Sequence, residues 1–231
     1  MKTVQYEEML PHELQSAIKK FSVAYVPVGS LEWHGKHLPY GTDSLIAYGI
    51  LKRVAQKYGG VVVPPTYWGH MKNWKSGCHP GLAPKLVDQL FTEIFEGLVA
   101  VGFKVIIGVT GHGVKEQVAS LVKAAEFITK TGHAKAFAML EVALNEGNPA
   151  VGIDHAALWE TAFIMALAPK LVQMKRIAKV KLDTDDDMAK AGIWGEDPRI
   201  HASKNVGMKA INLMVDAIGK KAKKLLASID P

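Results

Sequence analysis

Four residues near the start of this sequence have the types and spacing to support chemistry. Glu32, His34, His37 and Asp43 lie within twelve residues of one another and directly follow a short apolar run. Carboxylates and imidazoles together suit a borderline divalent ion such as zinc or manganese. Asp43 could instead cap a helix, and the histidines could be ordinary loop residues. Capping does not account for Glu32 and His34 together, so the segment predicts a metal site.

A second histidine motif follows the most apolar strand-like run of the chain. In TGHGVKEQ, residues 110–117, His112 stands between two glycines, which permit close approach of the backbone and leave the ring free to point into a pocket. Taken alone, the motif also fits an ordinary hydrogen-bonded loop histidine. It contributes to a metal site if the fold brings it beside the first segment.

A third polar cluster lies in GIDHAALWETAF, residues 152–163. Asp154 can cap a helix there, His155 would stand at the mouth of that helix, and Glu160 follows among apolar side chains. A carboxylate in such surroundings needs a partner, and a metal ion or an arginine would serve. An ion pair between Glu160 and a basic residue elsewhere in the chain is the alternative.

The surrounding sequence alternates short apolar runs with amphipathic stretches, which is typical of α/β layer architectures. This alternation predicts a three-layer α/β/α sandwich around a mostly parallel sheet, with residues 1–231 as a single domain. In such folds ligands bind beyond the carboxyl ends of the strands, where all three clusters fall. The predicted strands are 23–28, 60–63, 104–109, 134–140 and a weaker 176–182; the predicted helices are 43–58, 82–101, 116–131, 155–167 and one from about 205.

Composition excludes several classes of protein. The 231 residues are 48% hydrophobic and carry 28 basic against 22 acidic side chains, a net charge of +6, which argues against disorder. Much of the basic excess falls in GKKAKKLL, residues 219–226, where the lysines would solvate a helix face, so nucleic acid is not an expected partner. No run is long enough to span a bilayer, and the start lacks a signal-peptide core. A single cysteine, Cys78, excludes a disulfide framework, and its neighbour His79 does not make it a nucleophile. We therefore expect a cytoplasmic protein without membrane or nucleic-acid partners.

Together the motifs resemble the creatininase (creatinine amidohydrolase) family, across most of the chain. Residues 32–43, EWHGKHLPYGTD, match the family pattern Glu-x-His-Gly-x-His-Leu-Pro-x-x-Thr-Asp at every fixed position. TGHGVK keeps part of Asn-Gly-His-Gly-Gly-Asn, and HAALWETA keeps most of His-Ala-Gly-x-x-Glu-Thr-Ser. GIWGEDPRIHASKNVG, residues 192–207, is similar to the family's Gly-x-x-Gly-Asp-Pro stretch.

The resemblance implies a binuclear centre with two divalent ions per subunit, zinc or manganese with iron as a further choice, in a homo-oligomer that is usually a hexamer. It also implies roles for individual residues. Glu32 and His34 would each hold one ion, Asp43 would bridge both, and His112 would complete the first set. His155 would match the family's proton-transfer histidine.

One family ligand is missing from this sequence. Creatininase has a glutamate two residues after the histidine that matches His112, and here that position is Val114. The second ion then needs another carboxylate, either Glu160 or Glu116. Glu160 is the better choice, because its apolar setting makes an unpaired carboxylate costly, whereas Glu116 lies at a helix start.

These residues predict a hydrolase of small molecules. Two ions about 3.5 to 4 Å apart generate hydroxide near neutral pH and polarise a carbonyl group, and His155 could carry the proton to a leaving nitrogen. The predicted reaction is cleavage of the C–N bond of a cyclic amide or a formamide. Two alternatives are a carbon–carbon hydrolase of a cyclic diketone, such as a dehydro-inosose from inositol breakdown, and a non-catalytic metal-binding protein.

Residues that would line a substrate pocket are harder to assign. The segment WGHMKNWKSGCHPG differs in pattern from creatininase and suggests a different substrate. It also fits a surface loop with two partly buried tryptophans. The predicted substrate-binding residues are His37, Trp68, Trp74, Ser76 and His79, with His70 beside them.

Overall fold

A parallel β-sheet runs through the middle of the protein. The computed structural model describes residues 3–71 and 79–229. Within those residues the sheet has four strands in the order β2-β1-β3-β4, and every neighbouring pair is parallel. The strands are β1 (Val23–Val28), β2 (Val61–Val62), β3 (Val105–Thr110) and β4 (Lys135–Leu140).

Helices connect the strands and cover both faces of the sheet. The α-helices are α1 (Pro11–Lys20), α2 (Thr42–Tyr58), α3 (Pro84–Val101), α4 (Lys115–Thr131), α5 (Leu158–Leu167), α6 (Asp185–Ala191), α7 (Pro198–His201) and α8 (Lys204–Ala227). Short 3-10 turns span Tyr6–Glu8, Ala143–Asn145, Pro169–Leu171 and Met174–Ile177. In the described part of the chain, none of these helices combines the length and apolarity needed to span a bilayer.

The two faces of the sheet bury separate hydrophobic cores. Successive strand residues point to opposite faces, so Tyr25 packs with α2, α5 and α8, whereas Ala24 and Val26 pack with α3 and α4. Both faces are covered, which explains why β1 and β3 are almost entirely apolar rather than alternating. The predicted three-layer α/β/α sandwich is confirmed.

The strand order identifies the end of the sheet where a ligand site is expected. The chain passes from β1 to β2 on one side and then returns to β3 on the other, so the topology reverses between β1 and β3. Val28 and Thr110, the last residues of these two strands, are paired in register. The loops after them therefore leave the sheet side by side, at the position where α/β proteins bind ligands.

One predicted strand is wrong. Residues 176–182 form no strand; a 3-10 turn ends at Ile177, the one buried residue of the segment. The backbone oxygens of Ile177 and Val180 accept hydrogen bonds from Arg199 Nη1, at 3.1 and 2.7 Å, instead of from a neighbouring strand. The helix predicted from residue 155 also begins later, at Leu158.

Candidate metal centre

The loop after β1 leads into α2, and Asp43 lies just after this junction. Asp43 lies in the first turn of α2, where the unpaired backbone N–H groups favour a negative charge; Gly41, rather than Asp43, is the N-cap. A side chain at Gly111 would place its Cβ 2.2 Å from the backbone oxygen of Asp43, so only glycine lets the end of β3 pass this close. Ser30 Oγ donates to Asp43 Oδ2 at 2.9 Å and fixes the carboxylate.

Asp43 lies between two histidines from different segments. His34 Nε2 is 2.9 Å from Asp43 Oδ1, and His112 Nδ1 is 3.1 Å from Asp43 Oδ2. Each histidine also faces a second carboxylate: His34 Nε2 is 3.3 Å from Glu160 Oε2, and His112 Nδ1 is 2.8 Å from Glu32 Oε2. The five residues form two donor groups, Glu32–Asp43–His112 and His34–Asp43–Glu160, that share Asp43.

Backbone carbonyls orient both imidazoles. His34 Nδ1 lies 3.0 Å from the oxygen of Glu32, and His112 Nε2 lies 2.9 Å from the oxygen of His70. A carbonyl only accepts hydrogen bonds, so these nitrogens carry hydrogens and donate. The other nitrogens, His34 Nε2 and His112 Nδ1, point at the carboxylates. Ring orientation of this kind is typical of histidines that bind metals.

The charges of the centre favour a cation between these groups. Burial alone would lower the pKa of His34, but the carboxylates of Glu160 and Asp43 outweigh it and raise that pKa well above the ordinary value. Burial also opposes a charge on His112, yet hydrogen bonds to Asp43 and Glu32 raise its pKa to about 10. The pKa of Asp43 is lowered despite its burial, because His34 and His112 face it.

One buried atom supports the same conclusion. His34 Nε2 has no hydrogen-bond partner among the described residues, although two carboxylate oxygens lie within 3.3 Å of it. A lone pair directed at carboxylate oxygens is unfavourable unless a proton or a metal ion lies between them. The donor set of three carboxylates and two imidazoles fits zinc or manganese.

Glu160 is held in place by the turn that precedes α5. Ala156 adopts a left-handed conformation with φ of 53°, which is uncommon for a residue other than glycine. Its backbone N–H donates to Glu160 Oε2 at 2.6 Å. Ala157 is the N-cap of α5, but the carboxylate of Asp154, three residues earlier, accepts from the backbone N–H groups of Trp159 and Glu160 at 2.7 and 3.2 Å and so satisfies the first turn. The turn therefore fixes the carboxylate that faces His34.

His155 lies beside the two donor groups. Its ring is 4.4 Å from that of His34, centroid to centroid, and its Nε2 lies 2.9 Å from the backbone oxygen of Trp33, to which it donates. Backbone hydrogen bonds in both directions to Trp194, of 3.0 and 2.7 Å, hold the segment. With Nε2 carrying the hydrogen, Nδ1 is the atom that can accept a proton.

A cavity of about 400 Å³ opens onto the centre. Glu32, Asp43, His112, His155 and Glu160 all line it. Among the residues that the structure describes, the remaining lining residues are Gly111, Gly113, Val114, Ile153, Asp154 and Trp194, and none is a lysine or an arginine. Glu116 is exposed in the first turn of α4 and belongs to neither donor group.

Three of the five predicted substrate-binding residues lie outside this cavity. His37 is buried, with Nε2 2.9 Å from Thr161 Oγ1, and burial lowers its pKa to about 4. Trp68 is exposed on the surface, and His79 Nδ1 accepts the backbone N–H of Trp33 at 3.1 Å. None of the three is among the described residues that line the cavity.

The other two predicted substrate-binding residues have no described position. Trp74 and Ser76 lie outside the described residues, as does Cys78. Contact between a substrate and any of the five predicted residues stays a prediction.

Sequence reasoning missed two residues near the centre, one acidic and one aromatic. Glu141 directly follows β4 and is buried, and burial raises the pKa of its carboxyl well above the ordinary value. Its position at the carboxyl end of a strand was the available signal. Trp194 lines the cavity and lies in the GIWGEDPR stretch, whose resemblance to the family gave no hint of its exposure to the site.

Known proteins of similar sequence and fold show which family this chain resembles. A creatinine amidohydrolase from Pseudomonas putida is 25% identical over 182 residues, which are 67% of this chain and 68% of that protein. A 3-dehydro-scyllo-inosose hydrolase from Thermotoga maritima is 29% identical over 114 residues, which are 48% of this chain but 36% of that protein. Solved creatininases, among them a manganese form and a mutant of Zn-Zn type, superpose on the whole chain with TM-scores of 0.80 and 0.82 at 21% and 20% identity.

The family model for creatininase, creatinine amidohydrolase, matches residues 7–221. That range includes every element of the sheet and every residue of the two donor groups. The chain therefore belongs to the creatininase family, a family of metal-dependent hydrolases.

Proposed function

We propose that the protein uses two divalent ions, zinc or manganese, to hydrolyse the C–N bond of a cyclic amide or a formamide. The observation that carries this proposal is the pair of buried donor groups that share Asp43. A shared carboxylate with one oxygen near each histidine suits two ions held side by side. Assembly as a homo-oligomer, a hexamer by resemblance, and a location in the cytoplasm belong to the same proposal.

Each ion would have its own residues besides Asp43. Glu32 and His112 would hold one, and His34 and Glu160 would hold the other. When bound, two such ions supply a Lewis acid for a carbonyl oxygen and lower the pKa of a water molecule enough for attack near neutral pH. The carboxylates of the centre keep its net charge low when the ions are present.

His155 would move the proton that this reaction requires. Its Nε2–H is anchored on the oxygen of Trp33, and the ring lies against His34 at the cavity wall. Nδ1 would take the proton of the attacking water and then donate it to the leaving nitrogen, which is general acid–base catalysis. Val114, Ile153 and Trp194 would give the substrate an apolar surface and limit the access of water.

A carbon–carbon hydrolase is the second candidate. The similarity to the inosose hydrolase of Thermotoga maritima favours it, and cleavage next to a ketone starts with the same attack on a carbonyl carbon. A non-catalytic metal protein is the third candidate. It would need the donor groups but no proton carrier, so His155 discriminates it from either enzyme.

Metal analysis followed by an activity screen tests the proposal. We expect the purified protein, reconstituted with zinc or manganese, to hold two ions per chain and to hydrolyse a member of a panel of cyclic amides and formamides. Cyclic diketones in the same panel report the carbon–carbon alternative. A protein that retains no divalent ion after reconstitution would contradict the proposal.

Replacing Glu160 by glutamine should remove one ion. The neutral amide binds a divalent ion much more weakly than a carboxylate, so metal content should fall from two ions per chain towards one. Glu116→Gln is the control, because Glu116 is exposed and lies outside both donor groups. Plasma emission spectrometry on the dialysed variants measures the stoichiometry. Loss of an ion in Glu116→Gln but not in Glu160→Gln would reverse the assignment.

A further inference from the structure

The backbone oxygen of His70 accepts a hydrogen bond from Nε2 of His112, the ring nitrogen that does not face the carboxylates. We infer that Gln117 is a positioning residue for His112, and that it acts through the His70 segment, which comprises Gly69 and His70. The inference rests on the proposed function, because it concerns the affinity of the ion that His112 would hold. Gln117 itself belongs to neither donor group.

Gln117 fastens the His70 segment to the sheet edge. It lies on α4 and is fully buried, and both ends of its amide are used. Oε1 accepts the backbone N–H of His70 at 2.9 Å, and Nε2 donates to the backbone oxygen of Gly29 at 3.2 Å. Gly29 directly follows β1, so the amide joins the segment behind His112 to the start of the loop that carries Glu32.

Close packing leaves this segment little room to shift. A Cβ atom on Gly69 would lie 2.6 Å from the oxygen of Gly29 and 2.7 Å from Gln117 Oε1. On the other side, the backbone oxygen of Gly69 accepts the N–H of Leu82 at 3.0 Å. The position of the His70 carbonyl therefore depends on the polar contacts of Gln117 and on backbone approach that only glycine permits.

The side chain of His70 adds a second attachment to α4. Ser120 Oγ donates to Asp88 Oδ1 at 2.5 Å, which leaves it to accept a hydrogen bond from His70 Nε2 at 3.0 Å. Asp88 is in turn paired with Lys123 at 2.8 Å. Burial lowers the pKa of the His70 imidazole.

The consequence for His112 is geometric. Its Nε2 donates to the His70 oxygen at 2.9 Å, so the direction of that carbonyl sets the rotation of the ring and hence the aim of Nδ1. Nδ1 faces Glu32 and Asp43 at 2.8 and 3.1 Å. Outer hydrogen bonds of this kind typically contribute about 10-fold to 100-fold to metal affinity.

The test compares metal affinity in two variants of α4. Gln117→Leu removes both hydrogen bonds and puts an apolar side chain of similar size in place of the amide. Leu121→Val changes a buried core residue of the same helix whose side chain forms no hydrogen bond with the His70 segment. In a competition titration with a chelator, we expect Gln117→Leu to lower the affinity for one of the two ions about 10-fold to 100-fold. The absorption spectrum of the cobalt-loaded protein should change as well. Leu121→Val should lower the melting temperature and leave affinity and spectrum as in the wild type.

The possible results separate this inference from the proposed function. If the wild-type protein binds no divalent ion, the proposed function fails. If the wild type binds two ions and Gln117→Leu binds both with wild-type affinity, only the inference is overturned. Should Gln117→Leu not fold, Gln117→Met decides, since methionine is close to glutamine in length and also removes both hydrogen bonds: an affinity for one ion that is about 10-fold or more weaker supports the inference, and unchanged affinity overturns it.

Discussion

Replacing Asp43 by asparagine should remove both ions and abolish hydrolysis. The two carboxylate oxygens of Asp43 lie near different histidines. An amide offers only a neutral, weakly binding oxygen to one side and an NH₂ group, which has no lone pair for a cation, to the other, so both ions lose a charged ligand. Two-ion centres supply several kcal/mol of transition-state stabilisation, and their loss corresponds to at least about a thousandfold in rate. Metal analysis should give fewer than one ion per chain, and steady-state kinetics should give a rate near background.

Asp216→Asn is a matched control for this experiment. Asp216 pairs with Lys57 at the opposite end of α2, so the same chemical change there should leave metal content and rate unaffected. Asp43→Asn also leaves two buried imidazoles without their central carboxylate, so the unfolding temperature of each variant should be measured alongside. A folded Asp43→Asn protein that loses a single ion and still hydrolyses substrate would show that Asp43 does not bridge.

The sheet could be predicted from the sequence because its strands are buried on both faces. β1 and β3 consist almost entirely of apolar residues, and short apolar runs that end at glycine-containing loops are typical of central parallel strands. Residues 176–182 were wrongly predicted as a strand because their pattern alternates. Apolar residues alternate with lysines there, as in an edge strand, but Arg199 takes the carbonyls that a neighbouring strand would have paired with.

The candidate site was predictable where its residues are close in sequence or costly to bury. The loop from Glu32 to Asp43 stands out by spacing alone, and Glu160 stands out as a carboxylate among apolar neighbours. The pairing of carboxylates with histidines depends on how the segments after β1, β3 and β4 come together in the fold. No local sequence pattern indicates this pairing. The role of the His70 carbonyl has no sequence signature at all, since every residue carries a backbone oxygen.

Replacing His155 by glutamine should stop catalysis while leaving the metal centre intact. Glutamine has an N–H that can still donate to the oxygen of Trp33, so the wall of the cavity should keep its shape. It cannot take up and release a proton near neutral pH, and loss of a general acid–base group costs about 100-fold to 10,000-fold in rate. We therefore expect kcat to fall by that factor with two ions per chain retained. His201→Gln, at an exposed histidine on α7, is the control.

This result also separates an enzyme from a metal store. His155 has ring atoms close enough to Glu32 and His34 to be a ligand in its own right, so the two roles predict different losses. If His155 were a ligand, the glutamine variant would lose an ion along with its activity. If the protein only stored metal, the variant would keep its ions and no activity would exist to lose. Retention of both ions with loss of turnover is expected from a proton carrier alone, and full activity in His155→Gln would contradict the enzyme mechanism.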